Sequence, residues 1–258
     1  MRSDLAGLVA VVGVALLTMP LYRYGPSRGR PDADGAKRGG TFLLGRFVRD
    51  WFYWFISPVE RIALALRLDP LFFNVLGVLV AMVSGLLLWR GHLVAGGWTI
   101  LLGSVADIFD GRIARALDVA SPRGAFLDST LDRFAETAVF VGLAAWYPET
   151  AARAVIAAAL GGSLLVSYTR ARGESLNVLC KLGIMQRAER IIALGFGALL
   201  DPAISDAWGR PHGSALLVVL WLVAAGTLGT AVFRTVWIAQ RLPSRQSPRS
   251  HSPRGRTR

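Results

Sequence analysis

Asp107 and Asp110 stand three residues apart, and Asp128 and Asp132 four apart, in segments that are otherwise largely apolar. Residues at these spacings share one face of a helix, so each pair aims two carboxylates in one direction. Charged groups inside apolar spans are costly and need a reason. Four carboxylates gathered together would repel one another and hold on to protons unless cations neutralised them. An all-oxygen donor set on two helices suits Mg²⁺ or Mn²⁺, with Ca²⁺ as a further option. Two such ions about 3.5–4 Å apart would clamp a diphosphate and stabilise both the attacking and the leaving oxygen. The neighbours fit that chemistry: Gly111 and Gly124 let a ligand approach the backbone, Ala114 keeps the groove open, and Arg115 can meet phosphate oxygens. The plainer alternative is a helix cap or a surface ion pair, with Arg112, Arg115 or Arg133 as partner. One aspartate alone would be read that way. Four in register with two glycines and an arginine form a far more specific pattern.

These side chains need helices to carry them. Apolar runs long enough to cross a bilayer recur along the 258 residues; a hydrocarbon core of about 30 Å takes ~20 residues of helix. The runs lack the alternation of a membrane barrel, which leaves an all-α membrane protein. The expected spans are 71–89, 95–114, 125–147, 151–170, 189–204 and 214–238, a six-helix core. A further apolar run, 5–22, reads as an uncleaved anchor within an N-terminal segment 1–22. A Gly, Arg and Asp-rich linker follows (23–40), then an aromatic-rich interfacial segment (41–68) in which Trp51, Phe52, Tyr53, Trp54 and Phe55 stand beside arginines. Pro58 and Pro70 are expected to break that segment. The core domain then spans 41–240. The tail, 241–258, is rich in Ser, Pro and Arg and reads as disordered. The second and third core spans are joined by a short loop, 116–124, and are expected to run antiparallel as neighbours with their carboxylate faces converging.

Charge orients the bundle. The formal net charge is +12, with 29 Lys and Arg against 17 Asp and Glu. On a soluble chain that excess would point to nucleic acid. Here the basic residues lie between and after the apolar runs, as expected of contact with an anionic membrane leaflet, so no nucleic-acid partner is expected. Arg23–Arg67, Arg112–Arg123, Arg170–Arg190 and the tail fall on one side, leaving Arg90, Arg153 and Arg210 on the other. That asymmetry puts the carboxylate end at the cytoplasmic face of the cell membrane. The single cysteine, Cys180, excludes an intrachain disulfide and reads as a small apolar filler.

The stretch Asp107-x-x-Asp110-Gly111-x-x-Ala114-Arg115, eight residues, Gly124-x-x-x-Asp128-x-x-x-Asp132 resembles the signature of the CDP-alcohol phosphatidyltransferase family, with every fixed position filled. The resemblance covers about residues 57–238. It implies a six-helix core, usually a homodimer, that moves a phosphatidyl group from a CDP-lipid such as CDP-diacylglycerol onto a small alcohol and releases CMP. By that resemblance the four aspartates hold two divalent ions, and Asp132 accepts the proton of the attacking hydroxyl. Gly111, Ala114, Arg115, Ser121 and Gly124 would line the CDP-lipid pocket. Asp69-Pro70-Leu71-Phe72 resembles the family's nucleotide-contacting entry to the first core helix. Leu71 stands where a polar residue is common, and Asn74 where Thr is frequent.

A second cluster bears on the acceptor. Arg170, Arg172, Arg187 and Arg190 gather on the cytoplasmic side between the fourth and fifth core spans. Positive-inside topology alone would account for a basic loop. The sharper reading is a cradle for a phosphorylated alcohol, because guanidinium forks grip phosphate bidentately. Tyr168 and Glu174 accompany the arginines at helical spacing. These stretches are similar to the inositol-phosphate-using branch of the family, from which Gln186 departs where Glu is usual. The expected acceptor is myo-inositol 1-phosphate, with glycerol 3-phosphate as runner-up. A membrane cation transporter is the competing class, because intramembrane carboxylates also line ion paths; it would place them near mid-bilayer rather than at one end of two spans.

Overall fold

The structure, a computed structural model, describes residues 3–25 and 45–243. Among them the regular elements are helices: α1 (Ser3–Tyr24), α2 (Gly45–Ala65), α3 (Pro70–Trp89), α4 (Leu93–Ala116), α5 (Pro122–Trp146), α6 (Thr150–Ser175), α7 (Arg187–Ala207) and α8 (Ser214–Ala239). Residues 26–44 and the tail from 244, which hold most of the expected linker and tail, lie outside the described residues. Among the described residues, four helices are long and apolar enough to cross a membrane: α3, α4, α6 and α8. The protein is a multi-pass membrane protein. Helices α5 and α7 carry more charge, but much of it is turned inward. Arg190 is buried against Glu136 at 2.8 Å, and Asp201 is fully buried.

Local chemistry sets the helix starts that matter. Asp69 caps α3 by accepting the Leu71 N–H at 2.8 Å, and Ser121 caps α5 by accepting the Gly124 N–H at 3.1 Å. In both, proline is the first helical residue, where its missing N–H costs nothing. Pro70 therefore opens a helix as well as ending the interfacial segment. Pro58, expected as a break, lies inside the continuous helix α2. Its ring leaves the Trp54 carbonyl without the usual amide donor, and the Ser57 hydroxyl donates to that carbonyl at 2.8 Å instead.

The bundle closes as a ring: α3 packs on α4 and α5, α4 on α7, α7 on α8, α8 on α6, and α6 on α5. Two crossings depend on glycine. A Cβ on Gly85 of α3 would run into the Ala138 carbonyl of α5, and one on Gly97 of α4 would stand 2.6 Å from the Gly195 carbonyl oxygen of α7. Between α4 and α5, expected as packed neighbours, the backbones barely approach each other, because α3 lies against both. The short turn after Ala116 brings only their ends together. The core runs through the ring from Leu88 and Phe140 to Ile156, Leu216 and Val223. Outside the ring, α1 rests on α2: Tyr22 packs on Phe47 and Trp54, and the Trp51 indole donates to Thr18 Oγ1 at 3.1 Å. Helix α2 in turn rests on α4.

Candidate active site

Because α4 and α5 splay apart, their aspartates face each other across a groove floored by α3. Asp107, Asp128 and Asp132 each offer a carboxylate oxygen, and the three oxygens lie within 4.8 Å of one another. Asp110 sits one turn further along α4. It is buried, lies against Asp128, and accepts the N–H of Gly111. The guanidinium of Arg187, at the first position of α7, enters from the opposite wall. Its Nη1 meets Asp132 Oδ2 at 2.6 Å and its Nη2 meets Asp107 Oδ1 at 3.5 Å. Three anionic oxygens this close against one arginine leave an excess of negative charge, which a divalent cation on hard oxygen donors would balance. The residues present fit such an ion.

Two cavities meet at this cluster. The first, about 60 Å³, runs between α3, α4, α5 and α7 past Phe73, Asn74, Gly103, Asp107 and Asp132. The second, about 660 Å³, is framed by α5, α6, α7 and α8 and carries Asp128, Arg133, Arg170, Arg187, Arg190 and Arg234. Asp132, Glu136 and Arg187 line both. The carboxylates therefore form part of the wall between a mainly apolar groove and an arginine-lined hollow.

Comparison with known proteins decides what kind of site this is. Residues 69–237 match the family model for CDP-alcohol phosphatidyltransferase. The chain belongs to that family. Its relatives include a phosphatidylinositol phosphate synthase of Streptomyces avermitilis, 34% identical over 210 residues that cover 77% of this chain and 84% of the relative. An archaetidylinositol phosphate synthase of Methanothermobacter thermautotrophicus is 33% identical over 193 residues, 73% of this chain and 90% of the relative. Among solved structures, the phosphatidylinositol phosphate synthase of Mycobacterium tuberculosis with CDP-DAG bound superposes with a TM-score of 0.63 at 30% identity, covering 70% of this chain and 92% of that one. The same enzyme in complex with manganese and citrate gives a TM-score of 0.63 over 88% of its chain. This chain is accordingly a transferase of the CDP-alcohol phosphatidyltransferase family, which leaves no ground for the transporter reading.

Within this family member the expected residues fall into distinct places. Gly111, Ala114 and Arg115 lie on the last turns of α4, facing the start of α5 where Ser121 and Gly124 sit; none of the five lines either cavity. Asp69, Pro70, Leu71 and Phe72 form the N-terminal turn of α3, with Leu71 and Phe72 exposed, and it is the next two residues, Phe73 and Asn74, that line the smaller cavity. Of the four arginines, Arg170, Arg187 and Arg190 line the larger cavity. Arg172 does not. Helix α6 continues unbroken to Ser175, so two residues on from Arg170 the side chain points the other way, and Arg172 Nη1 reaches only Ser175 Oγ at 3.4 Å. Arg190 is already committed: Nε and Nη2 hold the two oxygens of Glu136 at 2.8 and 3.3 Å, and Nη1 donates to the Met185 carbonyl at 3.3 Å. Arg170 pairs with Glu174 at 2.9 Å at the cavity edge.

Sequence reasoning passed over Arg234. It is buried in α8, donates from Nε to the Leu182 carbonyl and from Nη1 to the Val166 carbonyl, both at 2.8 Å, and lines the larger cavity. A lone arginine inside an apolar span is a signal that could have flagged it.

Proposed function

We propose that this protein transfers the phosphatidyl group of CDP-diacylglycerol to a hydroxyl of myo-inositol 1-phosphate, releasing CMP and forming phosphatidylinositol phosphate. The observation that carries the reading is the shared wall: carboxylates suited to divalent cations stand between an apolar groove and a hollow lined by arginines. Asp107, Asp110, Asp128 and Asp132 would hold two ions, Mg²⁺ or Mn²⁺, which when bound withdraw charge from the diphosphate. Asp132 takes the proton of the attacking hydroxyl. That oxygen then forms a bond to the β-phosphorus, and the bond from the β-phosphorus to the bridging oxygen breaks, so the bridging oxygen leaves with CMP. Arg187, within reach of Asp132 and open to the larger cavity, orients the acceptor phosphate beside the base, with Arg170 and Arg234 as further cationic contacts. The turn Asp69–Phe72, together with Gly111, Ala114, Arg115, Ser121 and Gly124, serves the nucleotide end of the CDP-lipid, where α4 ends and α5 begins.

The positive-inside asymmetry supports a cell-membrane protein with this site at the cytoplasmic face. Six core spans (α3 to α8), an N-terminal anchor in 1–22 and an interfacial α2 follow from the same reading, as do the linker 23–40 and tail 241–258 flanking a domain of 41–240. A homodimer is the expected assembly. Glycerol 3-phosphate remains the second reading, because the arginines would grip its phosphate equally well. Purified protein given CDP-diacylglycerol and each labelled acceptor in turn separates the two. Inositol phosphate should be incorporated and glycerol phosphate should not; the reverse pattern overturns the choice. CMP release should stop on chelation and return with Mg²⁺ or Mn²⁺.

A further inference from the structure

The last turns of α4 carry Asp107 and Asp110 only a few residues before the helix ends at Ala116. Helix ends fray, because their final carbonyls lack partners within the helix. Asp110 and Asp107 stand six and nine residues before that end, so an anchor on the end from outside would steady the turns that carry them. Helix α2 supplies it. Ile56 and Ala63 of α2 pack with Phe109 and Ile113, the apolar residues that flank Asp110, and with Phe73. At the centre of this contact Glu60 of α2 accepts two bonds at one oxygen, Oε2, from Nε and Nη2 of Arg112, each at 2.9 Å. The Arg112 guanidinium also lies 4.8 Å over the Tyr53 ring. Both partners are largely buried, at 14% and 12% side-chain exposure, so solvent screens the pair less than it would a surface pair. Phe55, Val59 and Ile62, on the other face of α2, are exposed. The helix thus presents one side outward and clamps the carboxylate-bearing turn with the other.

We propose that Glu60 is a positioning residue: through Arg112 it fixes the last turns of α4 and so sets where Asp107 and Asp110 stand relative to the divalent ion and the diphosphate. The inference rests on the reading of those aspartates as ion ligands. It touches none of the reacting atoms, and neither Glu60 nor Arg112 belongs to the fixed positions of the aspartate motif. Loss of a group bonded directly to a metal ligand costs about 10–100-fold in metal affinity or activity; Glu60 stands one step further out, which puts its effect at the low end of that range.

The test uses the full chain purified in detergent, with Mn²⁺ binding followed by electron paramagnetic resonance alongside steady-state turnover and thermal melting. Glu60→Ala should weaken Mn²⁺ binding and lower kcat by about tenfold each, with the acceptor KM nearly unchanged and a lower melting temperature that still leaves a cooperative transition. Glu60→Gln, which keeps the shape and loses the charge, should fall between. The swap Glu60→Arg with Arg112→Glu should recover most of both losses. Unchanged Mn²⁺ binding and kcat in Glu60→Ala would overturn the proposal. So would losses that the swap does not repair, or that come with an equal rise in acceptor KM and a collapsed melting temperature. Asp110→Asn is the control. If it loses Mn²⁺ while Glu60→Ala does not, only the support fails; if it binds Mn²⁺ normally, the ion-ligand reading itself is wrong.

Discussion

Asp201 in α7 and Asp132 in α5 both sit in largely apolar helices, and their surroundings could hardly differ more. Asp201 is fully buried, and its oxygens are saturated. Oδ2 accepts the Gly213 N–H at 2.6 Å, while Oδ1 accepts the Leu216 N–H at 2.8 Å and the Ser205 hydroxyl at 3.1 Å. Two of these donors, the Gly213 and Leu216 amides, open α8, which has no side-chain cap of its own. Asp132 faces two other carboxylates and one guanidinium, and it borders two cavities. The first carboxylate has donors on both oxygens and holds structure. The second has too few donors, which is the condition for binding a cation or taking a proton. Donor supply, not burial, separates the two.

Substitutions should break the pair along that line. The largest effect is expected for Asp132→Asn, which removes the proposed proton acceptor and should lower CMP release by about 10²–10⁴-fold while the protein still melts cooperatively. Near-normal turnover in purified protein would end the assignment. Next comes Arg187→Gln, which should raise the acceptor KM by roughly thirtyfold, ~2 kcal/mol, with a smaller effect on the CDP-lipid. An equal rise for both substrates would move Arg187 out of the acceptor site. Asp201→Ala should do the opposite of Asp132→Asn: a loss of about 1–3 kcal/mol of stability, read from melting in detergent, with turnover per folded molecule preserved. Smallest of all is Arg172→Gln, expected to change the acceptor KM by less than about twofold because its side chain leaves the cavity.

The aspartates were legible because their spacing is a local property: residues three and four apart share a helix face whatever the fold. Membrane class and four of the spans, α3, α4, α6 and α8, were legible for the same reason, since an apolar run declares itself without a partner. The same geometry sets Arg172 outside the cavity that Arg170 lines, as residues two apart lie on opposite sides of a helix. Pro58 was misread because the Ser57 hydroxyl that relieves it is a side-chain rescue, not a backbone rule. Arg234, Glu136 and Glu60 could not be given roles from sequence. Their partners lie 52 or more residues away in the chain, and only the closure of the helix ring brings them together. The separation of α4 from α5 was hidden for a related reason: a short turn fixes the order of two helices but not which third helix slides between them.

Asp132, Glu136 and Arg187 border both hollows, so under the proposed function substrate choice and turnover would not be independent dials. A change at Asp132 or Glu136 would then reach donor and acceptor alike, and one at Arg187 would fall mainly on the acceptor. Mutations that retune the preferred alcohol without sacrificing speed must therefore arise across the hollow, on the α6 side at Ser167 or Arg170, where only one of the two substrates would notice.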